Sequence, residues 1–121
     1  MACLRLTLIQ PKPGNREEMQ SVLTLLDTKL ARTPGLIFSF VTEIESERLG
    51  RVALWRSKDE ANQVAMREDI LALRARLRSL ALDTEEALME LHSGFLPEPL
   101  AALIAGDMLM EPVALNLGAV A

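Results

Sequence analysis

Apolar positions recur in two rhythms along this chain, and the switches between them outline its elements. From Cys3 to Gln10 the period is two. Leu4, Leu6 and Leu8 fall on one side and Cys3, Arg5 and Thr7 on the other, which predicts a strand with one fully apolar face. Pro11-Lys12-Pro13-Gly14 reads as a turn, because proline removes amide donors and glycine relaxes the backbone. Asn15 is a candidate N-cap, with Glu17 and Glu18 in a first helical turn where carboxylates suit the dipole. Met19, Val22, Leu23, Leu26 and Leu30 then recur at spacings of three and four, one stripe of a helix packed on a core. Pro34-Gly35 ends it, since the residue before a proline avoids the helical region.

At Leu36 the period returns to two, with Leu36, Phe38, Phe40 and Ile44 on one face and Ile37, Ser39 and Val41 on the other. Both faces start out apolar, which implies that both are covered. Glu45 to Gly50 is a polar connector, and Arg51 to Trp55 returns as the antiparallel partner. Ser57-Lys58-Asp59-Glu60 fits a capping box, the serine capping the opening amides with a glutamate three residues on. The helical segment behind it runs to about Leu82 with a break near Arg67-Glu68-Asp69, an apolar stripe of Met66, Ile70, Leu73, Leu77 and Leu80, and a second stripe of Arg67, Arg74 and Arg78. Asp83 to Glu86 is expected as a connector and Ala87 to Leu96 as a last strand, with Met89 and Leu91 opposite Leu88, Glu90 and His92.

The order β-α-β-β-α-β predicts an α+β, ferredoxin-like domain with a four-stranded antiparallel sheet over residues 1–96. Residues 97–121 hold no lysine or arginine and are too apolar for an ordinary disordered tail. They are expected to form an arm packed on this chain or a partner, with a short helix over Leu100–Ala105 and a short strand over Val113–Leu117.

Composition sharpens this picture. A chain of 121 residues that is 50% hydrophobic carries more apolar surface than a small monomer readily hides, so a homodimer is expected. Net charge is −4 and no basic block is interleaved with aromatics, which excludes an electrostatic footprint for nucleic acid. Cys3 is the only cysteine, so an intrachain disulfide framework is excluded and a reducing compartment fits. No apolar run reaches the roughly 18 residues of a membrane span. Arg5 and Lys12 sit wrongly for a secretory signal, so a cytoplasmic protein is expected. HExxH, CxxC, P-loop and GxGxxG patterns are all missing.

With these elements drawn, the chain resembles the antibiotic biosynthesis monooxygenase (ABM) family of the dimeric α/β-barrel superfamily. The resemblance rests on Pro13-Gly14 before the first helix, Pro34-Gly35-Leu36 opening the second strand, and Leu54-Trp55-Arg56-Ser57-Lys58-Asp59-Glu60-Ala61, and covers roughly residues 3–95. It implies a homodimer in which two sheets face each other to form an α/β barrel with the helices outside. It also implies oxidation of phenols or quinols by molecular oxygen with no cofactor. A non-catalytic dimeric ligand-binding or structural module of the same fold is the alternative.

In family enzymes a tryptophan at the place of Trp55 borders the substrate pocket, although a strand-end tryptophan also serves as core filling. Arg74, Arg76 and Arg78 lie where some family enzymes carry an arginine that stabilises a developing oxyanion, and Arg74 is the one selected; a solvated basic face is the competing reading. Trp55 and Arg74 are therefore the catalytic candidates, and Ser39, Asn62, Met66 and His92 the candidate substrate contacts. Haem-degrading relatives place a ligand histidine on the helical segment after the tryptophan, and residues 58–82 contain none. His92, the sole histidine, otherwise reads as a polar rim residue. Arg5 sits mid-strand in a covered sheet and needs a partner, for which Glu90 and Glu43 are the candidates. Tyrosine is absent, so family mechanisms that use pocket tyrosines do not transfer.

Overall fold

The fold is taken from a computed structural model that describes residues 2–45 and 47–105, with side chains to residue 101. Strand β1 (Cys3–Pro11) leads into helix α1 (Arg16–Leu30), followed by the hairpin β2 (Leu36–Ile44) and β3 (Arg48–Trp55). Helices α2 (Lys58–Ala65) and α3 (Glu68–Leu80) come next, then strand β4 (Ala81–Glu90) and helix α4 (Glu98–Ala105). The strands form one sheet in the order β2-β3-β1-β4, antiparallel throughout. This is the ferredoxin-like α+β arrangement that the alternation of periods implies.

Helix α1 buries Met19, Leu23, Leu26 and Leu30 on the sheet. Asn15 stands at its N-cap position but makes no side-chain cap bond; its carbonyl accepts from the Met19 amide at 2.9 Å. The turn at Gly35 requires glycine. Its φ is +90°, its Cα faces the Glu60 side chain with no room for a Cβ, and its carbonyl accepts the Arg56 amide at 2.7 Å. The capping box closes beside it: the Glu60 amide donates to Ser57 Oγ at 3.2 Å, and that hydroxyl donates to Glu60 Oε1 at 3.1 Å.

The helical segment breaks at the anticipated place. Arg67 is extended, and its guanidinium grips Asp69 through two hydrogen bonds of 2.7 and 3.1 Å, which hold the Asp69 carboxyl below the usual carboxylate range. One correction follows. Met66 leaves the apolar stripe because α2 ends at Ala65, so its side chain is 70% exposed and the buried stripe starts at Ile70.

The last strand also differs from expectation. It spans Ala81–Glu90, whereas the acidic run Asp83–Glu86 was expected to be a connector and Leu91–Leu96 part of the strand. Asp83, Thr84, Glu85 and Glu86 pair with Gln10, Ile9, Leu8 and Thr7. β4 is an edge strand, so its backbone bonds to β1 while Asp83, Glu85 and Glu90 stay in water. The connection from α3 has no length at all, and the Leu80 carbonyl accepts from the Lys12 amide at 2.9 Å. Helix α4 runs beside β2 and covers the expected Leu100–Ala105 helix, whereas the expected strand at Val113–Leu117 lies outside the described residues.

The helices cover one face of the sheet. Cys3, Ile9, Leu49, Ala53 and Trp55 lie on that face and join the core beneath α1–α3. The Leu4-Leu6-Leu8 row shares the other face with Val52, Phe38 and Phe40, which are half-buried or exposed. The two phenylalanine rings pair on this face with centroids 5.6 Å apart.

Candidate functional site

Between the helices and the covered sheet face lies a cavity of about 40 Å³. Its apolar wall comes from Leu23, Leu26 and Leu30 of α1, Ala61, Val64 and Ala65 at α2, and Ile70 and Leu77 of α3. Its polar wall comes from the sheet and α3: Arg5 and Thr7 on β1, Arg51 and Trp55 on β3, Glu86 on β4 and Arg74 on α3. Three guanidiniums against one carboxylate make this lining cationic. An outer cleft of about 250 Å³ shares Thr7, Arg74, Leu77 and Glu86 with it and adds Ile9, Arg78 and Thr84. The Arg74–Glu86 pair lines both spaces, and in it Arg74 Nη2 donates to both carboxylate oxygens at 3.0 and 3.2 Å.

Arg51 is only 4% exposed. Its Nε donates to Asp27 Oδ1 at 2.7 Å, and the same oxygen accepts from the Ser39 hydroxyl. Burial pushes the Arg51 pKa down, and the bond to Asp27 opposes that shift. Its Nη2 is buried and has no partner among the described residues, and the same holds for Trp55 Nε1. Both side chains line the cavity. A buried donor left unpaired costs about 1–3 kcal/mol, so these two side chains set the least satisfied polar groups of the cavity wall beside its apolar one. Arg5 is depressed in the same way by burial, opposed by the Glu86 charge. Its counter-charge is therefore Glu86 rather than Glu90 or Glu43, and Glu43 instead pairs with Arg16. Glu86 qualifies because Thr7, two residues beyond Arg5 on the same face, is its cross-strand partner.

Among the predicted site residues, Trp55 and Arg74 are brought together on this cavity. Ser39 does not line it but braces Asp27, which holds Arg51. Asn62 is exposed on α2, Met66 is exposed just past the end of that helix, and His92 is exposed beyond the end of β4. The sequence reading missed Arg51, Asp27 and Glu86. The signal for Arg51 was available, since a charge in the middle of a covered strand demands a partner. Starting the strand at Arg51 rather than Arg48 put that charge at a solvated end. Cys3, beside Trp55 in the sheet register, is fully buried and its thiol is pushed up by burial, so it lacks nucleophilic character. No group of three or more His, Cys, Asp or Glu able to hold a metal occurs among the described residues. No helix there is long and apolar enough to cross a membrane.

No family model and no curated protein matches the sequence. Solved structures do match its fold. SnoaB, a cofactor-independent oxygenase from Streptomyces nogalater, superposes with a TM-score of 0.69 at 20% identity, covering 80% of this chain and 98% of that one. Rv0793 from Mycobacterium tuberculosis gives 0.73 at 14% identity over 78% and 98% of the two chains. A structure described as an antibiotic biosynthesis monooxygenase gives 0.68 at 12% identity over 77% and 100%. The chain therefore has the fold of antibiotic biosynthesis monooxygenase structures, the family that its strand-end tryptophan and capping box resemble.

Proposed function

We propose that this protein is a cofactor-independent oxygenase that converts a small hydrophobic phenol or quinol to a quinone, working as a homodimer. The reading is carried by one observation: Trp55 and Arg51 line a cavity with a cationic polar wall, and each carries a buried donor, Nε1 and Nη2, with no partner among the described residues. Turned toward a bound phenol, such donors favour the phenolate over the phenol. A phenolate is electron-rich enough at its ring carbons to pass an electron to oxygen and then bond to it. Loss of water from the resulting ring peroxide gives a quinone. Phenol plus O₂ gives quinone plus water, so the substrate supplies every electron. SnoaB, a cofactor-independent oxygenase of the same fold, supports this reaction class. The apolar sheet face turned away from α1–α3, bearing Leu4, Leu6, Phe38 and Phe40, supports the dimer, because a second copy would bury its half-buried and exposed residues.

Oxygen consumption with a panel of hydroquinones and naphthols tests the activity. The wild type consumes one oxygen per substrate, and Trp55→Phe, which keeps a ring but removes the N–H, loses about a hundredfold in rate. A folded wild type with no uptake across the panel would refute the oxygenase. One feature favours a second reading, a non-catalytic ligand-binding module: the sole carboxylate lining the cavity, Glu86, is tied to Arg74 and is not free to act as a base. Ligand binding without uptake supports that module.

A further inference from the structure

Helix α3 and strand β4 part from a common point, because Leu80 ends one and Ala81 begins the other. The outer cleft and the inner cavity follow one another along the gap between them. On β1, Ile9 borders the outer cleft alone, Thr7 borders both spaces, and Arg5 borders the inner cavity alone. On α3 the same order runs from Arg78 through Leu77 and Arg74 to Ile70, and on β4 it runs from Thr84 to Glu86. Thr7, Leu77, Arg74 and Glu86 therefore stand between the two spaces. We infer that the Arg74–Glu86 ion pair is a strap that shuts the inner cavity from the outer cleft, and that a ring enters only when the pair opens. This concerns the site of the proposed function and rests on that reading only for the identity of what enters.

Size makes an opening necessary. An engineered cavity that takes benzene measures about 150 Å³. The inner cavity, at about 40 Å³, cannot hold an aromatic ring with its walls as they stand, whereas the outer cleft, at about 250 Å³, can.

Burial decides which part of the partition moves. Thr7 and Leu77 are buried, and Leu77 belongs to the core beneath the helices. The side chains of Arg74 and Glu86 are 23% and 37% exposed. Both of their hydrogen bonds leave from one nitrogen, Arg74 Nη2, so a single side-chain rotation releases them together. Water reaches both groups and replaces the lost bonds. An ion pair this exposed holds weakly, and salt screens it. The pair also joins two elements that diverge from Leu80–Ala81, so its release frees α3 from β4 at the partition without disturbing the apolar core.

Acrylamide quenching of tryptophan fluorescence in the full chain tests the strap without a substrate. Trp55 is the only tryptophan, is 2% exposed and lines the inner cavity, so its quenching reads access to that cavity. Glu86→Gln, which keeps the shape and removes the charge, should raise the quenching constant about two- to fivefold, the weight of an exposed ion pair. Sodium chloride at about 1 M should raise the wild type toward the same value and leave Glu86→Gln where it is. Glu43→Ala, which breaks the exposed pair with Arg16 elsewhere, should match the wild type. A urea midpoint for each variant establishes that the rise comes from folded protein. Should Glu86→Gln fail to fold, Arg74→Gln breaks the strap from the other side, with the same rise expected. A quenching constant unchanged in the folded variants, a salt response shared by Glu86→Gln, or an equal rise in Glu43→Ala overturns the strap. A rise on release with no oxygen uptake from any quinol overturns the oxygenase alone. Uptake with Trp55 equally shielded in every variant overturns the strap alone.

Discussion

Asp27→Ala should be among the most damaging single changes outside the apolar core. Asp27 Oδ1 accepts from Arg51 Nε at 2.7 Å and from the Ser39 hydroxyl, and Arg51 is 4% exposed. Without the carboxylate, a guanidinium that water cannot reach loses its counter-charge, and the serine loses its acceptor. Breaking a buried ion pair from one side costs about 3–5 kcal/mol. The Asp27 side chain is itself 21% exposed, which lowers the expectation to about 2–4 kcal/mol. The double variant Asp27→Ala/Arg51→Met should recover most of that loss, because it replaces the pair with apolar volume. Glu43→Ala is the control. It breaks the exposed pair with Arg16 and should cost less than about 1 kcal/mol. Urea unfolding followed by the fluorescence of Trp55, the only tryptophan, reads all three. At about 1–3 kcal/mol per molar urea, Asp27→Ala should move the midpoint down by about 0.7–4 M. An Asp27→Ala midpoint equal to that of Glu43→Ala, or a double variant less stable than the single, would refute the assignment of Arg51 as a buried, Asp27-dependent charge.

Other perturbations probe the rest of the molecule. Gly35→Ala forces a side chain into a left-handed backbone and against Glu60, so a loss of about 1–3 kcal/mol in the same urea assay is expected; a neutral result would contradict the turn. Burial raises the Cys3 thiol above its ordinary value of 9.0, so folding favours the protonated form. Its contribution to stability is complete below that value and falls as pH rises through the folded-state pKa. Ellman's reagent should accordingly react with Cys3 slowly in the native protein and rapidly in urea. Wild type should also lose stability above about pH 9 by more than Cys3→Ala does. Leu6→Glu puts a charge in the middle of the open sheet face, and light scattering should find a dimer for the wild type and a monomer for this variant. A monomeric wild type at micromolar concentration would sink the two-sheet assembly.

The architecture was legible because periodicity reports directly which face of an element is covered. The α1 stripe, the Pro34-Gly35 stop, the Ser57 capping box and the break at Arg67–Asp69 all occur where the residues indicate. The β4 boundaries were not legible. Asp83–Glu86 looks like a loop, and only its position at the sheet edge lets four polar residues pair with β1. The site was half legible. Trp55 and Arg74 reach the cavity, but residue type could not tell that Ser39 turns to Asp27, that Asn62 falls on the exposed face of α2, or that the end of α2 leaves Met66 in water. Arg51 went unmarked because its importance depends on where its strand begins, a boundary that polarity alone blurs when the preceding residues are Glu47 and Arg48. Glu86 depends on a cross-strand register that no local pattern encodes.

The claim at the centre of this account is that ligands bind in the cavity lined by Trp55 and Arg51, whose buried donors have no partner among the described residues. Because the chain holds a single tryptophan, its nitrogen-15 correlation spectrum should contain one indole N–H resonance, and that resonance belongs to Trp55 Nε1. Titration with 2-naphthol should move this peak downfield to saturation, on the same binding curve that calorimetry gives. A ligand that calorimetry shows to bind while the indole peak stays in place would contradict the account.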